Sequence, residues 1–269
     1  MAMTTNKIKK KKGVEKITML TCYDYQMAKI LDSAGVDMLL VGDSVGNTTL
    51  GYKDTTMVTM PDMIHHVSAV ARGVENAFLV SDMPFLAYNL TIADTLKNAG
   101  DLIRAGAKAV KLEGGEHIIE HVKALTDVGI PVVGHLGLTP QSVNQLGGYL
   151  IQGKTSETAE KIINDALLLQ KAGAFCLVLE CVPSELAEII TEKLDIPTIG
   201  IGAGAKCDGQ VLVINDVLGM SNNKPNKFVK QYADLYEVIT NAVTGYINDV
   251  KEEKFPAEDN IFHATEKLY

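Results

Sequence analysis

The sequence predicts an α/β chain, a single (β/α)8 barrel over residues 1–269 with a short frayed N-terminus and an irregular C-terminal tail. Three observations point there. Eight short apolar runs recur, at 17–22, 38–42, 78–81, 109–112, 131–134, 176–179, 198–201 and 211–214. They are continuous rather than alternating in polarity, as parallel strands covered on both faces are. Amphipathic stretches separate most of them, at 24–34, 61–74, 91–105, 116–128, 157–172 and 183–193. Finally, three segments share one design: Ser33-Ala-Gly-Val-Asp-Met-Leu-Leu-Val-Gly-Asp43, Arg104-Ala-Gly-Ala-Lys-Ala-Val-Lys-Leu-Glu113 and Lys171-Ala-Gly-Ala-Phe-Cys-Leu-Val-Leu-Glu180. Each reads helix end, glycine turn, strand, carboxylate. Gly106 and Gly173 stand 173 − 106 = 67 residues apart, two units of roughly 33, which is the size of one strand-helix unit in such a barrel. An open doubly wound sheet is the competing architecture, but no Gly-x-Gly-x-x-Gly follows the first apolar run.

The elements carry their own punctuation. Pro61 with Asp62, and Thr91 with Asp94 three residues on, are helix starts. Several helical stretches end at an Ala-Gly or Val-Gly step, a usual stop. Tyr23-Asp24-Tyr25 either lines the barrel mouth or supplies Asp24 as a helix cap. The two longest connections, 44–60 and 136–156, follow strands and are rich in Gly, Thr, Asn and Gln. In a barrel such loops sit at the catalytic mouth. Residues 215–226 read as loop, 227–251 as a final helix and 252–269 as the tail. The basic run at 9–12 reads as a solvated, frayed end.

Composition excludes several classes. Lys plus Arg is 25 and Asp plus Glu is 33, a net charge of −8, which argues against a nucleic-acid partner. The longest stretch without a charged residue, 128–153, holds His135, Gln141, Asn144 and two prolines, so no membrane span is expected. Glu15, Lys16 and Asp24 interrupt any apolar leader, so export is not expected either. None of the four cysteines sits in a Cys-x-x-Cys pair, so neither a zinc site nor a redox pair is indicated. Reduced thiols in a cytoplasmic protein are the expectation.

Chemistry concentrates at the strand ends. The second run ends in Asp43-Ser44 and the third is followed by Asp82. The fourth carries Lys111 and ends at Glu113, the fifth is followed by His135, and the sixth by Glu180. A lone strand-end acid is usually a turn cap. Five successive strands delivering four carboxylates, a lysine and a histidine to one mouth are not explained that way. Carboxylates so close repel one another unless a cation is present. Hard oxygen donors suit Mg²⁺, whereas zinc would want more nitrogen or sulfur than His135 offers. A divalent ion, a lysine and a spare acid form a set that chelates a 2-oxo acid and enolises it. Gly200-Ile-Gly-Ala-Gly204 reads as tight-turn geometry, since no lysine or serine completes an anion site there. His65 and His66 lie within an amphipathic helix and read as surface or packing residues.

At these residues the chain resembles the 3-methyl-2-oxobutanoate hydroxymethyltransferase (ketopantoate hydroxymethyltransferase) family. The matching stretches include Leu40-Val-Gly-Asp-Ser44, Asp82-Met-Pro-Phe85, Val110-Lys-Leu-Glu-Gly-Gly115, Gly134-His-Leu-Gly-Leu-Thr-Pro-Gln-Ser142 and Leu179-Glu-Cys-Val-Pro183. The resemblance implies a barrel of the phosphoenolpyruvate/pyruvate-binding superfamily. It implies transfer of a one-carbon unit from 5,10-methylenetetrahydrofolate to 3-methyl-2-oxobutanoate, giving 2-dehydropantoate, in pantothenate synthesis. Position by position, Asp43, Asp82 and Glu113 are similar to Mg²⁺ ligands. Asp43, Ser44, Asp82 and Lys111 are similar to substrate-holding residues, Glu180 is similar to the base, and His135 matches a site residue of open role. The family implies a homo-oligomer, a decamer. Two other functions compete: another Mg²⁺-dependent 2-oxo-acid lyase or mutase of that superfamily, and a non-catalytic 2-oxo-acid-binding barrel. The former chemistries usually add a mouth cysteine in a Lys/Gly-rich loop, and none is found. A binder has no need of a spare base.

Overall fold

The computed structural model describes residues 2–267. Eight strands run parallel: β1 (Ile17–Thr21), β2 (Met38–Val41), β3 (Phe78–Asp82), β4 (Ala109–Glu113), β5 (Val132–Gly137), β6 (Cys176–Glu180), β7 (Thr198–Ile201) and β8 (Gly209–Leu212). Each pairs with its neighbour in chain order, and β8 closes on β1 with Ile17 opposite Gly209 and Leu20 opposite Leu212. This is the closed barrel the apolar runs predict. Strand β5 extends three residues past the expected end at 134, which carries His135 onto the strand itself.

Helices Tyr25–Ser33, Met60–Ala71, Ile92–Ala105, Ile119–Asp127, Ser156–Lys171 and Ser184–Lys193 occupy the predicted stretches. Their starts follow from local hydrogen bonding. Asp24 Oδ1 accepts the Met27 N–H at 2.8 Å, so Asp24 is a cap. Thr59, two residues before Pro61, caps the next helix, and Asp62 Oδ2 returns a bond to the Thr59 N–H at 2.9 Å. The loop after β2 folds into two short turns, Val45–Thr48 and Thr55–Met57, and the loop after β5 into Pro140–Ser142 and Val143–Leu146.

Side chains alternate between barrel interior and helix layer along each strand. The interior cluster takes Ile17 and Met19 from β1, Met38 and Leu40 from β2, Phe78 and Val80 from β3, Ala109 from β4, Val133 from β5 and Cys176 and Val178 from β6. The same parity continued toward the carboxyl ends reaches Asp82, Lys111, Glu113, His135 and Glu180. The barrel thus changes from apolar to charged along its own axis, with no change of face.

The N-terminal basic run is not a frayed end. Residues Thr5–Lys11 form a helix whose cap, Thr4, accepts from the Lys7 N–H at 3.3 Å. Ile8 is fully buried in the interior cluster at the amino ends of the strands. Lys11 pairs with Asp37 at 2.7 Å and Lys12 with Asp208 at 2.9 Å. Those two acids immediately precede β2 and β8 and also accept from Thr18 and Thr198 backbone N–H groups. A run of like charges looked solvated because its partners lie 26 and 196 residues away (37 − 11 and 208 − 12).

The chain divides into two compact units, Met1–Ile214, which contains the barrel, and Asn215–Tyr269. In the second unit a helix runs over Leu235–Lys251, later than the expected start at 227, because Asp234 caps it by accepting the Glu237 N–H at 3.1 Å. Val238, Val243 and Tyr246 on that helix are exposed. His66, in the helix Met60–Ala71, is a packing residue, with Nδ1 2.7 Å from the Tyr23 carbonyl, and its neighbour His65 is exposed. Among the described residues no helix is long and apolar enough to cross a membrane.

Candidate active site

Asp43 sits in the turn just after β2. Glycine at 42 takes the next interior position, and a Cβ there would lie 2.8 Å from Ser44 Oγ and 3.5 Å from Asp82 Oδ2. That missing side chain lets the backbone N–H of Asp43 reach Asp82 Oδ2 at 3.0 Å. Ser44 follows, half-buried, with its hydroxyl 2.8 Å from the Tyr23 phenol.

The remaining groups form one connected cluster. Lys111 Nζ lies 3.1 Å from Asp82 Oδ1, 3.9 Å from Glu113 Oε1 and 3.1 Å from His135 Nδ1. His135 Nδ1 is 3.2 Å from Glu113 Oε1, and its Nε2 is 3.3 Å from Glu180 Oε2. All seven predicted residues are therefore brought to one mouth. Asp43, Asp82, Lys111, Glu113 and His135 are buried, while the Glu180 side chain keeps 17 % of its surface exposed at the open edge. Behind Glu180 the backbone is held tightly. Its carbonyl accepts the Leu138 N–H at 2.8 Å, and a Cβ at Gly137 (φ +94°) would lie 2.2 Å from that oxygen. Cys181 then adopts a left-handed φ of +47° to turn the chain away.

The electrostatics are those of too many acids in a dry place. Burial, then the charges of Asp82 and Glu113, push the Asp43 carboxyl well above the usual range, against Lys111 and a hydrogen bond from Gln141. Burial also raises Asp82, although the Lys111 ammonium opposes it. Burial would raise Glu113 too, but His135, Lys111 and the Gln141 backbone bring it below the ordinary value. Burial would neutralise Lys111, yet Asp82, Glu113 and Asp43 together hold it protonated more firmly than in water. His135 is lifted to about 9 against burial and the Lys111 charge, by its contacts to Glu113 and Glu180.

Four acids, Asp43, Asp82, Glu113 and Glu180, thus share the mouth with one ammonium and one histidine, and burial raises two of the acids, Asp43 and Asp82. Asp82 Oδ1 is buried without a hydrogen bond, since the nearby ammonium is not aligned with it. Among the described residues no three His, Cys, Asp or Glu side chains close round one point as a finished metal cage. The carboxylate oxygens at the ends of β2, β3 and β4 are of the donor type that a hard divalent cation with open positions would take.

The sequence from residue 2 to 258 matches the family model described as ketopantoate hydroxymethyltransferase. The chain belongs to the ketopantoate hydroxymethyltransferase family. It is 60 % identical over 260 residues to the 3-methyl-2-oxobutanoate hydroxymethyltransferase of Acetivibrio thermocellus, covering 96 % of this chain and 92 % of that one. It is 57 % identical to the protein of the same name from Syntrophus aciditrophicus, covering 97 % and 96 %. Among solved structures, phosphonopyruvate hydrolase in complex with oxalate and Mg²⁺ superposes with a TM-score of 0.61 at 11 % identity, over 97 % of this chain and 93 % of that one. A 2,3-dimethylmalate lyase, a member of the PEP mutase/isocitrate lyase superfamily, gives 0.59 at 14 % identity, over 98 % and 93 %. Those likenesses show the barrel fold.

Two polar residues in this family member's site are absent from the strand-end reading. Gln141 and Tyr88 are buried beside the acids, on the loops after β5 and β3. Gln141 lay inside the run Gly134–Ser142 that carries the resemblance, but nothing in its residue type marked it. Tyr88 had no signal at all.

Proposed function

We propose that the chain transfers a hydroxymethyl group from 5,10-methylenetetrahydrofolate to 3-methyl-2-oxobutanoate, giving 2-dehydropantoate for pantothenate synthesis. The family match supports it, at 60 % identity to a protein of that name. The chemistry of the mouth supports it independently, because a buried lysine among acids with a more exposed acid opposite is what enolisation needs. In this reading Asp43, Asp82 and Glu113 would hold Mg²⁺, as the family resemblance implies. Bound there, such an ion would supply Lewis-acid polarisation of the 2-oxo group.

The chain's own groups do the rest. Asp43, Ser44, Asp82 and Lys111 orient the oxo acid, and His135 spans the gap between Glu113 and Glu180. Glu180 takes the single hydrogen from C3, and the Lys111 ammonium stabilises negative charge developing on the keto oxygen. Hydrolysis of the two C–N bonds of 5,10-methylenetetrahydrofolate releases tetrahydrofolate and a formaldehyde-level carbon whose oxygen comes from water. C3 of the enolate adds to that carbon, and the resulting alkoxide takes up a proton to become the hydroxyl. The protein works as a cytoplasmic homo-oligomer, a decamer by family resemblance, on small-molecule substrates alone. Incubating the pure protein with 3-methyl-2-oxobutanoate, Mg²⁺ and 5,10-methylenetetrahydrofolate should yield 2-dehydropantoate, and omitting either Mg²⁺ or the folate should abolish it. Cleavage of the oxo acid without folate would instead point to a lyase, and binding without turnover to a non-catalytic barrel.

A further inference from the structure

Three acids at the mouth share a pattern: one oxygen of each is tied by an N–H group. Asp82 Oδ2 is held by the Asp43 backbone at 3.0 Å. The other two ties come from one residue. The side-chain amide of Gln141 donates to Asp43 Oδ2 at 2.8 Å, and its backbone N–H donates to Glu113 Oε2 at 3.0 Å. The second amide hydrogen goes to the Met83 carbonyl at 2.9 Å, and the amide oxygen accepts from the Tyr88 hydroxyl at 2.9 Å. Every hydrogen-bonding position of this buried amide except one lone pair is therefore in use. Its orientation is also forced, since a flipped amide would set its oxygen against two acceptors, Asp43 Oδ2 and the Met83 carbonyl. Tyr88 is itself fixed, because its hydroxyl oxygen accepts the Glu113 N–H at 3.1 Å.

The consequence is directional. Gln141 bridges the ends of β2, β3 and β4 and occupies Oδ2 of Asp43 and Oε2 of Glu113. That leaves Asp43 Oδ1 and Asp82 Oδ1, which is without a hydrogen bond though 3.1 Å from the Lys111 ammonium, as the oxygens facing a ligand, while Glu113 Oε1 is turned to His135 Nδ1 at 3.2 Å. We infer that Gln141, braced by Tyr88, is a positioning residue that fixes the Asp43 and Glu113 carboxylates in the rotamers that receive the divalent cation. It touches neither substrate nor reacting atoms in this scheme. The inference rests on the Mg²⁺ reading given under Proposed function.

Calorimetry on the protein separates a positioning role from a merely structural one. Titrating 3-methyl-2-oxobutanoate with and without Mg²⁺ should show tighter binding with the ion in the wild type. Groups that orient metal ligands typically contribute 10–100-fold to metal affinity. Gln141→Leu should therefore weaken the Mg²⁺-dependent affinity by about 10-fold or more. Oxo-acid affinity without Mg²⁺ should stay close to wild type. Tyr88→Phe, which removes one oxygen, should move the same quantity in the same direction by less. A Gln141→Leu protein with a lower Tm but wild-type Mg²⁺ dependence would show a merely structural role and overturn the inference. Should Gln141→Leu not fold, Tyr88→Phe decides alone, and unchanged Mg²⁺ dependence there overturns it equally. A wild type whose oxo-acid affinity ignores Mg²⁺ is a separate outcome, sinking the metal reading and the positioning role with it.

Discussion

Lys111 is the residue on which the site's charge arrangement turns. It is buried, and three acids hold its proton in place. Burying an ammonium is costly unless partners compensate, and removing one member of such a set leaves the others uncompensated. Two roles follow from that single position. As a structural counter-ion it keeps Asp43, Asp82 and Glu113 together. As a catalytic group it lies one interior step below Glu113 and stabilises charge on the oxo acid. Lys111→Ala tests which role dominates. Loss of the counter-ion should lower stability by about 3–5 kcal/mol. Loss of charge stabilisation should slow enolisation by about 10²–10³. Calorimetric unfolding and exchange of the C3 hydrogen measure the two separately. A folded variant with wild-type exchange would leave Lys111 as an ion-pair partner only.

Elements here are fixed by carboxylates set against the starts of strands. Asp37 and Asp208 clamp the N-terminal helix against β2 and β8. Asp32, in the last turn of the helix Tyr25–Ser33, does the same for β3. It accepts the Ala77 N–H at 2.7 Å, the Asn76 N–H at 2.9 Å and the Asn76 side-chain amide at 3.2 Å. Burial would raise its pKa, but those hydrogen bonds prevail and hold it below the usual carboxylate value. A folded-state pKa below the unfolded one means the stabilisation is present at neutral pH and fades as pH falls through the folded value. Asp32→Ala should therefore cost about 1–3 kcal/mol at pH 7. The gap from wild type should begin to close below about pH 4, where the unfolded Asp takes up its proton. Denaturant unfolding of both proteins at pH 7 and at low pH reads this directly. A gap that widens in acid would contradict the assignment. None of these clamps was legible in the sequence, because the partners are far apart along the chain. The barrel strands were legible, because each is a local apolar run.

At the scale of the whole molecule, the barrel makes the site by extending its core. Interior rows that are Phe78 and Val80, or Cys176 and Val178, lower down become Asp82 and Glu180 at the top. Strand-end acids in successive βα units were therefore enough to find Asp43, Asp82, Glu113 and Glu180 from sequence, with Lys111 and His135 beside them. Position at the carboxyl end of a strand carried the inference, and it fails where a residue acts from further along a loop. Gln141 and Tyr88 reach the site from connections whose path no periodicity describes. The division of labour among the acids is the claim on which the account depends. Glu180 stands apart from the other three, more exposed and in contact with His135 at 3.3 Å, which in turn meets Glu113. Proton removal from C3 needs no folate, so the half-reaction is observable alone. In D₂O with Mg²⁺ and without folate, the wild type should exchange the C3 hydrogen of 3-methyl-2-oxobutanoate, followed by proton NMR. Glu180→Gln should still bind Mg²⁺ and the oxo acid and should exchange at least about 100-fold more slowly. Exchange at the wild-type rate would place the base elsewhere, with His135 next in line, and loss of Mg²⁺ binding would return Glu180 to the metal ligands.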